Sequence, residues 1–277
     1  MRVLIAGGTG TLGTELVSYY HSKGAEVICI SRDELKQKEL KAKFPNIKCF
    51  LGDIREPIHI PVNEQIDILY HVAALKHIDV LEDNILEAVK TNIHGTINLA
   101  NYAVIKRIPK FAFSSTDKAV YPINVYGHTK AICERYLQCL NETQDTTSFR
   151  VFRWGNVIGS RGSVLESFRR ELDEKKRISL THPQASRFWI KIEDAVSFMI
   201  ERTEFRDRYS GIQIPTMKAS SVERLAIALA DMMGISNFEI LMTGLRPGEK
   251  IHENITAHLN SENAEQYTNE ELKELLA

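Results

Sequence analysis

Arg2-Val3-Leu4-Ile5-Ala6-Gly7-Gly8-Thr9-Gly10-Thr11-Leu12-Gly13 opens the chain, and helix-compatible sequence follows it through Tyr20. A short apolar run that stops at glycines reads as a buried strand giving way to a helix. Gly8, Gly10 and Gly13 satisfy Gly-x-Gly-x-x-Gly, and Gly7, Gly10 and Gly13 satisfy Gly-x-x-Gly-x-x-Gly. Glycines at such a turn permit positive φ and let backbone N–H groups approach a pyrophosphate at the helix N-terminus. The alternative is a plain tight turn, but the strand-before, helix-after context favours a dinucleotide site formed by Gly7, Thr9, Gly10, Thr11, Leu12 and Gly13.

The following elements keep the alternation. A second strand, Glu26–Ile30, ends in Ser31-Arg32-Asp33. An acidic residue at this strand end usually reads the 2′-hydroxyl of NAD, and an Arg accommodates the 2′-phosphate of NADP. Ser31 and Arg32 come first here, which favours NADP over NAD. Asp33 has a second reading as the N-cap of a helix over 34–42. A third strand (47–51) leads to Gly52-Asp53-Ile54, with Asp53 and Ile54 at the edge of an adenine pocket. A fourth (66–72) ends at Ala73-Ala74-Leu75-Lys76-His77, where small residues let a cofactor pass close to the backbone. A helix near 87–104 carries Asn92. Strand and helix alternate to about residue 158, which predicts an α/β fold: a doubly wound parallel Rossmann sheet with a smaller C-terminal substrate-binding domain. The expected division is 1–158 for the nucleotide-binding domain and 159–277 mainly for substrate binding, the chain returning to the first domain around 187–215.

Residues 114–130 read Ser-Ser-Thr-Asp-Lys-Ala-Val-Tyr-Pro-Ile-Asn-Val-Tyr-Gly-His-Thr-Lys. They follow a fifth strand, at the sheet edge where ligands bind in open parallel sheets. Tyr126 and Lys130 are four apart and share one helix face. An ammonium beside a phenol lowers its pKa from about 10 toward working pH and would make Tyr126 a base. An ordinary amphipathic helix gives the same spacing. Asp117 and Lys118 place a carboxyl and an amine side by side, as a general acid and base require. Taken alone, the pair equally fits a strand-end cap beside a solvated lysine.

Beyond a sixth strand (148–154) the pattern loosens. Arg161, Arg187 and Arg246 fall in expected loops with Gly or Pro, where guanidinium groups could clamp phosphates. Singly, each fits a solvated surface arginine. The stretch 262–275 reads as a solvated helix or tail. The 277 residues carry 43% hydrophobic and 26% charged residues and a net charge of −1, ordinary values for a globular protein. That charge gives no reason to expect nucleic acid or an anionic membrane. No apolar run approaches the length of a membrane span, and Met1 leads directly into a strand, so neither a signal peptide nor a span is expected. Cys29, Cys49, Cys133 and Cys139 lack CxxC spacing and read as reduced thiols of a cytoplasmic protein. The histidines show no metal-ligand spacing, and no metal is expected.

The glycine turn, Ser115, Tyr126-x-x-x-Lys130 and the loop-rich C-terminal part together resemble the extended short-chain dehydrogenase/reductase superfamily. Ser31–Gln37, Ala73–Val80, Ser115–Ala119, Gly155–Ser163, Arg187-Phe188-Trp189 and Arg246-Pro247-Gly248-Glu249-Lys250 resemble more closely the UDP-N-acetylglucosamine 4,6-dehydratases of pseudaminic acid and capsule biosynthesis, the soluble C5-inverting type above all. The resemblance implies that Tyr126 and Lys130 are the superfamily pair, that Thr116 bonds the sugar O4, and that Asp117 and Lys118 are the dehydratase acid and base. It implies UDP-sugar contacts from Lys76, His77, Asn156, Ser163, Arg161, Arg187, Arg246 and Glu249, and a homo-oligomer, dimer or hexamer. Members usually continue further beyond the Arg-Pro-Gly-Glu-Lys motif, and position 121, a tyrosine here, is usually smaller or polar. The competing readings are a UDP-hexose 4-epimerase, which needs no acid–base pair at 117–118, and a non-catalytic NADP-sensing protein.

Overall fold

The structure is a computed structural model that describes all residues except 62–64, 161 and 206–210. Seven parallel strands form the main sheet: β1 (Arg2–Ala6), β2 (Glu26–Ser31), β3 (Lys48–Leu51), β4 (Ile68–His71), β5 (Lys110–Ser114), β6 (Ser148–Phe152) and β10 (Ile212–Gln213). Their order is β10-β6-β5-β4-β1-β2-β3. Strand order reverses beside β1, which pairs with β2 on one side and β4 on the other. The loops after β1 and β4 therefore diverge to opposite faces and open a crevice at the carboxyl edge.

The period of two along β1 divides the core. Val3 and Ile5 join Leu16, Tyr20 and Met199 on one face, while Leu4 and Ala6 join Leu99, Phe111 and Leu137 on the other. Helices α1 (Thr11–Ser22) and α8 (Ile192–Glu204) cover the first face; α5 (Gly95–Ile105) and α6 (Val125–Thr143) cover the second.

Two local readings change and one is borne out. The helix expected near 87–104 is the end of α4 (Ile85–Ala88), a π-helical turn over Val89–His94 and α5, and a further short helix, α3 (Ile78–Asp83), precedes it. That turn carries Asn92, which accepts from Leu75 N and donates to Leu75 O, both at 2.9 Å, and donates to Thr129 Oγ1 at 3.0 Å. Asp33 does cap α2 (Glu34–Lys43), accepting from Lys36 N at 3.0 Å.

The second change is at the C-terminus. Helices α7 (Val164–Lys175) and α9 (Val222–Met232) and strands β8 (Arg177–Leu180) and β12 (Glu239–Met242) share a core with α10 (Asn269–Leu276). Leu272, Leu275 and Leu276 of α10 are buried there, so 262–275 is not a solvated tail. Their i, i+3, i+4 spacing is the narrow apolar stripe of a helix packed on one side. A capping box between Thr268 and Glu271 starts α10. A three-stranded sheet is formed by β7 (Asn156–Ile158), β9 (Ser186–Lys191) and β11 (Ala219–Ser221), with β9 in the middle.

Truncating Leu272 to Ala should lower the unfolding free energy by about 2–5 kcal/mol, as for other fully buried leucines. Urea unfolding measures it; a loss below about 0.5 kcal/mol, typical of an exposed site, would show that α10 does not seal the core.

Candidate active site

Two adjoining cavities lie at the carboxyl edge, of about 470 and about 520 Å³, and both are lined by Thr9, Gly10, Lys36, Val72 and Ala74. The second is the nucleotide-shaped end: Gly7, Ser31, Arg32, Asp33, Gly52, Ile54 and Ala73 complete it. A Cβ on Gly13 would collide with the carbonyl of Gly7, so only glycine lets α1 start so close to the turn. No side chain caps α1, which leaves its first amide groups facing an incoming anion. This cradle fits the pyrophosphate of a nicotinamide dinucleotide.

The predicted cofactor residues divide. Thr11, Leu12 and Gly13 line the first cavity. Ser31 lines the second and accepts from Gln37 Nε2 at 2.9 Å. Asp53 is held by Arg55 at 2.6 Å and Arg32 at 3.8 Å, which draws its carboxyl below its usual range against the effect of burial. Asp53 thus stands outside the cavity wall and anchors Arg55 and the lining residue Arg32. Asn92 stands behind that wall, shaping the loop after β4. Lys36 is the residue the sequence reading passed over: it lines both cavities, 3.0 Å from Asp33. Its position one turn into α2, beside a strand-end Arg, was the available signal.

The first cavity holds the chemistry-bearing stretch. Ser115 N donates to Phe152 O and Asp117 N donates to Trp154 O at 2.8 Å, so the chain stays tied to β6 beyond β5. Thr116 caps a 3₁₀ turn over Asp117–Ala119. Gly127 of α6 packs under this turn, where a Cβ would collide with the Lys118 carbonyl. Thr116, Lys118, Tyr126 and Lys130 all line the cavity, with Lys76, His77, Asn156 and Ser163 on its other walls. Ser115 is turned to Glu134, itself paired with Arg153, leaving Thr116 as the hydroxyl nearest the acid–base pair.

Lys118 Nζ lies 3.0 Å from Asp117 Oδ1, 3.3 Å from Glu253 Oε1 and 3.4 Å from Asn156 Oδ1. Asp117 is fully buried; Thr116 Oγ1 donates to its Oδ1 at 3.0 Å, and its Oδ2 has no partner. Burial raises the Asp117 carboxyl, Lys118 lowers it and Glu253 raises it again, with a net upward shift. Lys118 is raised as well: burial pulls it down, but the charges of Asp117 and Glu253 prevail.

The expected pairing of Lys130 with Tyr126 is corrected. Lys130 Nζ donates to Ser114 O at 2.7 Å and sits 4.3 Å from the centre of the Phe113 ring. Burial pushes Tyr126 up to about 12, against the lowering effects of Lys118 and a Thr116 hydrogen bond. Burial also lowers Lys130 to about 8. The shared helix face thus does not bring the phenol down: burial governs Tyr126, and the Lys130 ammonium bonds the Ser114 carbonyl.

Of the arginines, Arg187 is not in a loop: it is buried on β9, 3.1 Å from Glu249 and bonded to the carbonyls of Ser186 and Ile251. Glu249 also accepts from Thr181 at 2.8 Å. Arg246 is exposed and lines neither cavity, and Arg161 lies outside the described residues. Glu253, buried at 2% exposure, was missed because nothing in Ile251-His252-Glu253-Asn254 distinguishes it by spacing. Among the described residues no cluster suits a metal ion, and no helix is long and apolar enough to cross a membrane.

The family described as "Polysaccharide biosynthesis protein" matches residues 3–273. A UDP-N-acetylglucosamine 4,6-dehydratase (inverting) of Campylobacter jejuni is 37% identical over 260 residues, covering 91% of this chain and 76% of that protein. A UDP-glucose 4-epimerase of Rickettsia bellii is 34% identical over 277 residues, covering 96% and 81%. The structure of Pen from Bacillus thuringiensis superposes with a TM-score of 0.89 at 30% identity, covering 99% of this chain and 96% of that one.

The Lys130 shift sets a pH signature. Its folded pKa lies below the usual 10.5, so between about pH 8 and 10.5 the unfolded chain holds a proton that the folded chain has lost. Stability from this group therefore rises with pH across that window. Urea unfolding should show wild type gaining on Lys130→Met by about 3 kcal/mol between pH 7.5 and 10.5; a constant gap would mean that Lys130 is not desolvated.

Proposed function

The chain belongs to the polysaccharide biosynthesis protein family, and on that premise we propose that it is an NADP-dependent UDP-N-acetylglucosamine 4,6-dehydratase that inverts C5. The observation that carries this reading is the buried Asp117–Lys118 pair at the cavity that Tyr126 and Thr116 also line. The Campylobacter relative's name supports it. In this reading residues 1–158 hold the dinucleotide and 159–277 mainly hold the sugar nucleotide.

When bound, the nicotinamide dinucleotide accepts a hydride from sugar C4 and later gives it to C6. The protein's part is to move protons. Thr116 holds O4 and Tyr126, acting as the phenolate that the neighbouring Lys118 charge favours, takes its proton, leaving a C4 ketone that makes the C5 proton acidic. The pair at 117–118 is an ammonium and a carboxylate, and a base must be an amine. A proton passing over the 3.0 Å from Lys118 to Asp117 makes the amine and the carboxylic acid together. Lys118 then removes the C5 proton, the C6–O bond breaks, and Asp117 protonates the departing hydroxyl, so water leaves. Lys118 returns a proton to C5 as C6 is reduced, and the proton taken from O4 restores the balance. Delivery to the opposite face gives inversion. Lys76, His77, Asn156 and Ser163 line the sugar-nucleotide end, with the Arg187–Glu249 pair behind them.

A UDP-sugar 4-epimerase is the second reading, favoured by the Rickettsia relative. It shares the oxidation at C4 but leaves Asp117 and Lys118 without work.

With UDP-N-acetylglucosamine, the product by mass spectrometry should be one water lighter, and Lys118→Ala should slow its formation at least about hundredfold while NADP still binds. An isobaric C4 epimer as sole product would establish the epimerase instead. Arg32→Ala should weaken NADP about tenfold or more, the scale of a lost charge-assisted hydrogen bond, with little change for NAD. Equal losses for both, by calorimetry, would remove the 2′-phosphate role.

A further inference from the structure

The acid–base pair comes from one turn of the nucleotide-binding half, but its surroundings are completed from the far end of the chain. Glu253 lies on the segment after α9 and β12, where Ser261 Oγ accepts from Glu253 N at 3.0 Å and Ser261 N donates to Glu253 O at 2.8 Å. Ser261 Oγ in turn donates to Ser186 O at 2.9 Å, which fastens the segment to β9. The carboxylate is thereby held with one oxygen 3.3 Å from Lys118 Nζ. The other oxygen has no hydrogen-bond partner and stands 3.7 Å from Lys250 Nζ, which donates to Val120 O at 2.7 Å. A buried carboxylate oxygen with an ion pair but no hydrogen bond costs stability, and such a group in a folded protein calls for an explanation.

We propose that Glu253 is a positioning residue for the Asp117–Lys118 pair: its carboxylate holds Lys118 between two acids and sets the balance of the proton exchange between Lys118 and Asp117. The inference rests on the dehydratase reading for its kinetic arm only. The charged and titratable groups facing the pair are Glu253 and Lys250 from this segment, Arg187 from β9 and Tyr126 from α6. Glu253 is the one acid among them besides Asp117. It stabilises the proton on both partners, so the pair holds its protons to higher pH than it would alone. The same contact makes the placement of the 246–261 segment a condition for an aligned base. Glu249, on that segment, reaches Arg187 and Thr181.

The test uses the whole protein and Glu253→Gln, which keeps shape and removes charge. Lys118 Nζ is followed by NMR in protein labelled with ¹³C and ¹⁵N lysine, its signal assigned by loss in Lys118→Met. The Lys118 midpoint should fall by about a unit or more, as for a lost opposite charge within about 4–6 Å. With UDP-N-acetylglucosamine, the kcat profile should move to lower pH on both limbs, because Lys118 and Asp117 both lose the raising charge. At the wild-type optimum kcat should fall about tenfold or more, while the amplitude of nicotinamide reduction at C4 is kept. Glu253→Asp, which keeps the charge, should retain a wild-type pH profile and controls for a folding defect. A Lys118 midpoint that does not move, or a kcat profile that coincides with wild type, overturns the proposal. If wild type forms no dehydrated product, the dehydratase reading falls, and the titration still decides the role of Glu253.

Discussion

An ammonium buried between two carboxylates, Lys118 between Asp117 and Glu253, ties the two halves of this chain together. Moving each ion out of water costs several kcal/mol, and removing one partner from such a group leaves an uncompensated charge. The group is therefore stable only when the turn after β5 and the segment around 253 are both in place. The rest of the architecture supplies those two positions. Strand β5 is held between β4 and β6 and its extension is bonded to Trp154, which fixes Asp117. Ser186 of β9 fixes Ser261 and hence Glu253.

The nucleotide end depends on a different constraint, the close approach of backbone to backbone. Strand order reverses next to β1, so the turn at Gly7–Gly13 and the loop at Ala73–Leu75 meet at one crevice. Asn92 makes the second of these loops rigid by bonding both polar groups of Leu75. The π-helical turn that carries Asn92 turns it toward that loop and toward Thr129 of α6, linking the cofactor groove to the helix that bears Tyr126 and Lys130.

Much of this was legible in the sequence because it rests on local patterns. The glycine turn, the strand-end residues and the alternation of apolar runs specify the parallel sheet, and its first six strands follow from them except their exact ends. Asp33 as a cap was equally readable. What was not legible depends on contacts between distant segments. Tyr126 and Lys130 share a helix face, yet depth within the sheet turns Lys130 to Ser114 and leaves burial to govern the phenol. Arg187 reads as a loop residue until β9 pairs with β11 and buries it. The stripe at Leu272, Leu275 and Leu276 was present in the sequence but is outnumbered by charges, and only α9 shows what it packs on. Glu253 had no signal, because a buried acid is defined by the partner it meets.

The central claim is that this site removes water from a sugar by proton transfer at C5 rather than turning over C4 alone. The direct measurement is proton NMR of UDP-N-acetylglucosamine incubated with the protein and NADP in D₂O. The account predicts a 4-keto-6-deoxy sugar with deuterium at C5, and a C5 coupling pattern of the inverted configuration. An unchanged sugar, or a C4 epimer with its C5 proton intact, would contradict it.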